Sequence, residues 1–137
     1  MNEIKDFFAA KDLFARHNGV ELLEVEEGRA LVRMAIGPYH FNAAGTVHGG
    51  AIFTLADFAL AAASNSHGRL AMGISASVNF VKAAVKGTLY AEAREQSLNS
   101  KLATYSVLVT DDEKETVAIF QGMVYRKKES LLILNEN

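Results

Sequence analysis

Ala51-Ile52-Phe53-Thr54-Leu55-Ala56-Asp57-Phe58-Ala59-Leu60-Ala61-Ala62-Ala63-Ser64 is the stretch on which the fold turns. Ala and Leu are strong helix formers and no breaker interrupts them, so the stretch predicts a helix. It is apolar on nearly every side. A helix of that kind must be enclosed by the rest of the protein. Asn65 to Arg69, with Gly68, ends it. A single helix is covered on several sides only if a sheet curls around it. A second sheet, from another subunit, would cover what remains.

The flanking sequence supplies that sheet. Downstream, Ile74 to Val85, Thr88 to Ser97, Ala103 to Thr110 and Thr116 to Arg126 read as strands. Lys86-Gly87, Asn99-Ser100 and Asp111 to Glu115 separate them, connections short enough for antiparallel neighbours. Upstream, Gly37 to Thr46 is a loop, and Val20 to Ile36 reads as two strands joined at Glu26-Glu27-Gly28-Arg29. Ala30, Val32, Met34 and Ile36 alternate with Leu31, Arg33 and Ala35, the period of a strand with one mostly apolar face. Ile4 to His17 reads as one helix, with Ile4, Phe7, Phe8, Leu13 and Phe14 as its apolar stripe. Leu131 to Leu134 is an apolar tail patch that covers an edge or a partner subunit, or frays. The expected class is α+β, one long curved antiparallel sheet around a central helix.

The chain has 137 residues, net charge −2, no Cys, no Trp and one Pro, with 50% hydrophobic and 22% charged residues. One domain over residues 1–137 is the expectation. This composition is unlike that of disordered chains. Zero Cys excludes disulfides, thiolate metal sites and a Cys nucleophile. The charge offers no global attraction to nucleic acid or anionic lipid. No apolar run of about 18 residues exists, so no membrane span is expected. Met1 to Asp6 carries acids and no apolar core, unlike a secretory signal. The expected compartment is the cytoplasm.

The chemistry concentrates in His40-Phe41-Asn42-Ala43-Ala44-Gly45-Thr46-Val47-His48-Gly49-Gly50 and in Asp57. The first amides of a helix lack internal partners and sit at its positive end. A free NH at Gly49 or Gly50 can therefore hold a polarised carbonyl oxygen. A tight turn would equally account for two glycines. Asp57 lies in the most apolar helix of the chain, where a carboxylate needs donors or a task. A structural network satisfying it is the competing reading. Gly49 and Asp57 are eight residues apart, roughly 12 Å along a helix at 1.5 Å per residue. Both reach one reacting carbon only if they come from different subunits, as in a two-fold dimer with antiparallel helices.

Asn42, His48-Gly49-Gly50, the apolar helix and Leu55-Ala56-Asp57 resemble the hotdog-fold acyl-CoA thioesterases of the phenylacetyl-CoA (PaaI) type. The strand Gly73-Ile74-Ser75-Ala76-Ser77-Val78-Asn79-Phe80 is similar to theirs, and the resemblance spans about residues 20–127. It implies a hotdog fold, paired subunits that usually assemble into homotetramers, and an acyl-CoA substrate in a groove at the dimer interface. By the same resemblance, the Gly49 NH polarises the thioester carbonyl. Asp57 of the opposite subunit acts as base or nucleophile, and Asn42 and His48 position the loop and water. Gly50, Ser75 and Lys82 line the substrate. Members often carry a cation-Pro pair where this chain has Lys82-Ala83; Lys82 meets the coenzyme phosphates by the resemblance, with a solvated strand-end Lys as its competing reading.

Other chemistries fit poorly. No Gly-x-Ser-x-Gly elbow, His-Glu-x-x-His pair or Gly-x-x-x-x-Gly-Lys loop occurs. No metal or cofactor is expected. His40 and His67 read as surface residues. Phe53, Phe58, Phe80 and Tyr90 read as core, with the acyl pocket as their alternative. The competing function is a non-catalytic acyl-CoA-binding or sensing hotdog domain, and a hotdog dehydratase ranks last.

Overall fold

The computed structural model describes residues 1–136. Two short helices come first, α1 (Asn2–Lys11) and α2 (Leu13–His17). β1 (Val20–Glu26) and β2 (Arg29–Ala35) form a hairpin, and a 3₁₀ turn (Pro38–His40) leads to the central helix α3 (Gly49–Ser64). β3 (Arg69–Phe80), β4 (Thr88–Leu98), β5 (Leu102–Thr110) and β6 (Thr116–Ser130) complete the sheet, and a 3₁₀ segment (Leu131–Glu136) follows. Among the described residues, no helix is long and apolar enough to cross a membrane.

The sheet has six strands in the order β1-β2-β4-β5-β6-β3, and every pairing is antiparallel. Helices stand apart from an antiparallel sheet, so the class is α+β as the sequence predicts. The sheet curves around α3, which packs against all six strands. Register explains how. Val32, Ala91, Val109, Ala118 and Phe80 are successive partners across five strands. The first four are fully buried beneath α3, and Phe80 lies at the open margin. Small side chains let helix and sheet approach closely. Leu55, Ala56, Ala59, Ala62 and Ala63 are buried on α3. A Cβ on Gly122 would stand 2.6 Å from the Leu60 side chain, so glycine there lets Leu60 pack directly on the strand.

Enclosure of α3 is incomplete within one chain. Gly50, Phe53 and Asp57 form an exposed stripe at helical spacing. β3 pairs only with β6, so its outer edge is open.

Several sequence boundaries shift. The predicted helix over Ile4–His17 breaks at Asp12, whose carboxylate accepts a hydrogen bond from the Ala15 NH at 3.1 Å and starts α2. The break turns Leu13 and Phe14 outward, each 67% exposed, and buries Ala15. β3 begins at Arg69, immediately after Gly68 takes a left-handed turn at φ 89°, and it ends at Phe80. Residues 81–85 leave the ladder to brace the loop before α3, where the Val47 NH donates to the Ala84 carbonyl at 2.8 Å. β6 continues to Ser130. The tail patch does not fray at its start, because Leu131 is buried in the core.

Candidate active site

α3 begins with a histidine cap. His48 is extended at φ −60° and ψ 136°, and its Nδ1 accepts a hydrogen bond from the Gly50 NH at 2.8 Å. An accepting Nδ1 puts the ring proton of the neutral imidazole on Nε2. The His48 NH donates to the His40 carbonyl at 2.7 Å, and the Ala51 NH donates to the His48 carbonyl at 2.9 Å. Of the donors from His48 to Ala51, only the Gly49 NH has no partner among the described residues. One amide is thus left free at the positive end of the helix, an anion-holding position. The Phe80 ring packs against the Gly49 Cα: a Cβ there would sit 3.0 Å from the Phe80 Cζ. His48→Ala is expected to lower stability by about 1 kcal/mol, and His48→Asn to recover most of it, because Asn is a good cap. Urea unfolding reads both.

The loop before the cap is organised by two side chains. Asn42 Oδ1 accepts from the Ala44 NH at 3.0 Å and the Thr46 NH at 3.1 Å, and its Nδ2 donates to Thr46 Oγ1 at 3.0 Å. Asn42 is therefore occupied in shaping its own turn. His40, read from sequence as a surface residue, is only 1% exposed. Its Nδ1 accepts from the Gly37 NH at 2.9 Å, and its Nε2 lies 2.8 Å from the Asn18 carbonyl. Both ring nitrogens find backbone partners, which makes burial inexpensive. Through its carbonyl His40 also holds His48, a positioning contact that the sequence did not reveal. Pro38 at the start of the 3₁₀ turn is the local signal that His40 folds back.

Asp57 stands two turns further on. It is exposed in the single chain, not sealed within the helix's apolar surroundings as the sequence reading expects. Among the described residues no donor satisfies its carboxylate. Although solvent reaches it, partial desolvation by the apolar wall on one side pushes its pKa up, and the negative charge of Asp12 adds to the rise. The wall is that of a cavity of about 520 Å³, lined by Phe7, Phe8, Leu60, Leu70, Leu131 and Leu134 among others.

The remaining candidates lie elsewhere. Gly50 has already given its NH to His48. Ser75 pairs with Met123 and lines a separate polar hollow with Ser77, Thr104 and Gln121, on the sheet face away from α3. Lys82 donates to Asp111 Oδ2 at 2.8 Å and also to Glu115, and these two carboxylates raise its pKa. The cation to which the resemblance assigns a coenzyme phosphate is thus held by the chain's own acids. His67, also read as surface, is partly buried, with its Nε2 2.7 Å from Glu95 Oε1, and that same oxygen accepts from the Tyr105 hydroxyl at 2.7 Å. Burial opposes ionisation of Glu95, but these two bonds outweigh it and hold the carboxyl below its usual range. Phe58 is core, whereas Phe53 and Phe80 are 37% and 52% exposed around the start of α3. Phe7, Phe8, Leu70, Leu131 and Leu134 come from three distant parts of the chain, and no local pattern marks them as one wall.

Residues 44–118 match the thioesterase superfamily. A relative from Archaeoglobus fulgidus is 42% identical over 130 residues, 94% of this chain and 84% of its own. The acyl-coenzyme A thioesterase PaaI of Escherichia coli is 31% identical over 116 residues, 84% of this chain and 83% of its own. The solved structure of E. coli PaaI superposes with a TM-score of 0.90 over 93% of this chain and 94% of that one, at 28% identity. A Streptococcus mutans protein, smu.793, solved with acetyl-CoA bound, gives 0.77 at 27% identity, over 81% of this chain and 90% of that one.

Proposed function

The chain belongs to the thioesterase superfamily, and from that premise we propose that it is a PaaI-type hotdog enzyme hydrolysing acyl-CoA thioesters to free acid and CoA. One observation carries the mechanism: α3 bears a free Gly49 NH at its start and an unbonded, pKa-raised Asp57 two turns along an exposed stripe. About 12 Å separates them on one helix. Two chains with antiparallel α3 helices bring Gly49 of one beside Asp57 of the other and form two equal sites.

In each site the Gly49 NH and the helix dipole hold the thioester oxygen as negative charge develops there. Acting as base, Asp57 takes a proton from water while the water oxygen attacks the carbonyl carbon. Collapse of the tetrahedral species breaks the carbon–sulfur bond. The proton on Asp57 passes to the departing thiolate, and acid and CoA leave. Acting as nucleophile, Asp57 would form a mixed anhydride that water then opens. Mass spectrometry of enzyme quenched during turnover distinguishes them, since only the nucleophile carries the acyl group on Asp57.

The open edge of β3 supports the pairing. Met72, Ile74 and Phe80 along it are 54%, 57% and 52% exposed. Long, apolar, unpaired edges invite another strand. On the outer sheet face Leu108 and Ile119 are cross-strand partners, both exposed, and suit a second contact that makes the tetramer. Light scattering is expected to report a dimer or a tetramer. A monomer that turns over would overturn the two-chain site. An acyl-CoA substrate supports the cytoplasmic reading.

Thiol release from acetyl-, hexanoyl- and phenylacetyl-CoA tests the reading. Enzyme-dependent release supports it, and binding without release supports the sensing domain. The pH profile is a second check. Asp57 acts only when ionised, so kcat/KM rises with pH through its pKa. Because burial lifts that pKa, the rise lies above the usual Asp range near 3.9.

A further inference from the structure

We infer that the cavity beside Asp57 receives the acyl chain, and that its length selects medium-chain substrates of about eight to ten carbons. This rests on the acyl-CoA reading above and adds the substrate class.

Position fixes the direction. The α3 residues lining the cavity run from Asp57 to Ser64, Asn65 follows at the helix end, and none precedes Asp57. A reacting carbonyl beside Asp57 therefore stands at the mouth, and what lies beyond it points towards the C-terminal end of α3. Phe7 and Phe8 form one wall and Leu70 to Gly73 of β3 another; Leu131, held just past the C-terminal end of α3 by its NH donating to the Gly68 carbonyl at 2.9 Å, and Leu134 complete the lining.

Chemistry selects which half of the substrate enters. The pantetheine arm carries amides that need partners. The polar side chains inside the cavity have no donor to spare for an amide carbonyl. The Ser64 hydroxyl donates to the Ala61 carbonyl at 3.3 Å. The Asn65 amide donates to the Ala61 and Ala71 carbonyls at 2.9 and 3.1 Å and accepts from the Ala71 NH at 2.9 Å. Apart from Asp57 at the mouth and Lys127 at the rim, the lining is apolar or has its donors committed. Such a surface takes a hydrocarbon and leaves a pantetheine amide unpaired.

Length follows from the helix. Eight residues from Asp57 to Asn65 span about 12 Å. An extended chain advances about 1.2 Å per bond, a third of the span of one extended residue. About ten bonds fit before the chain meets Leu131 beyond the end of α3. A short aryl group would leave the far half without contacts.

The test is kcat/KM for saturated acyl-CoAs from two to sixteen carbons, with phenylacetyl-CoA alongside. It is expected to climb, by up to about fourfold per added methylene, to eight to ten carbons and then stop. Ala61→Leu, one turn beyond Asp57, is expected to lower the decanoyl-to-butyryl ratio about tenfold, the loss of one or two methylenes of contact. Leu134→Ala is expected to move the optimum to longer chains. A flat length profile overturns the inference and leaves hydrolysis standing. So does an Ala61→Leu variant that loses all lengths equally while its oligomer dissociates, because a second copy would then fill the cavity. If no thioester is cleaved, the hydrolase reading falls, and non-hydrolysable butyl- and decyl-CoA thioethers still decide the cavity. Tighter binding of decyl-CoA supports the inference, and equal binding overturns it.

Discussion

Asp57→Asn is expected to lower turnover about 10²- to 10⁴-fold, the usual worth of a positioned base, with the fold retained. The substitution keeps the shape of the side chain and removes the basic oxygen. Nothing within the chain depends on that oxygen, since no described residue hydrogen-bonds to it. Loss of activity is therefore separable from loss of structure. Stability supplies the internal control. A carboxyl whose folded pKa is raised contributes stability below its unfolded pKa, and that contribution is lost as pH rises through the folded value. At neutral pH ionised Asp57 is thus a small net cost. The Asn variant should melt slightly higher than wild type at pH 7, and the gap should close as the solution is taken below about pH 4. A variant that turns over at the wild-type rate removes Asp57 from the chemistry.

Mixing two inactive variants is expected to restore activity to about a quarter of wild type, given two equal sites per dimer. The partner for Asp57→Asn is Gly49→Pro, which deletes the one free amide. Gly49 is the first residue of α3, where proline fits a helix, and His48 is already extended, as a residue before proline must be. The ring of Phe80, half exposed, is the nearest obstacle and has solvent to swing into. Alone, Gly49→Pro should lower kcat about 10²- to 10³-fold through loss of an oxyanion donor. In a mixed dimer one site receives both defects and the other receives neither. Random assortment makes about half the dimers mixed, each with one working site of two. Coexpression with different affinity tags isolates the mixed species. If Gly49 and Asp57 served one site within a single chain, no mixture would regain activity.

The architecture was legible because its signals are local. An uninterrupted Ala- and Leu-rich helix requires a cover, and hairpin-length connections dictate antiparallel neighbours. The breaks that the reading missed depend on single side chains. Asp12 caps a new helix in the middle of an apparently continuous stripe, and residues 81–85 leave β3 to brace the loop before α3. His40 and His67 were misplaced for a similar reason. Their burial depends on partners 22 and 28 residues away, Asn18 and Glu95.

Gly49 and Asp57 stand out from residue type and spacing on one helix, because helix geometry converts sequence separation directly into distance and end polarity. Folding then distinguished neighbours that the sequence treats alike. Gly50 is taken by the His48 cap and Gly49 is not, and Lys82 is claimed by Asp111 and Glu115. The cavity beside Asp57 was beyond reach of any local reading. Its walls join α1, β3 and the segment after β6, whose proximity is set by sheet order and by packing on α3, interactions between residues far apart along the chain.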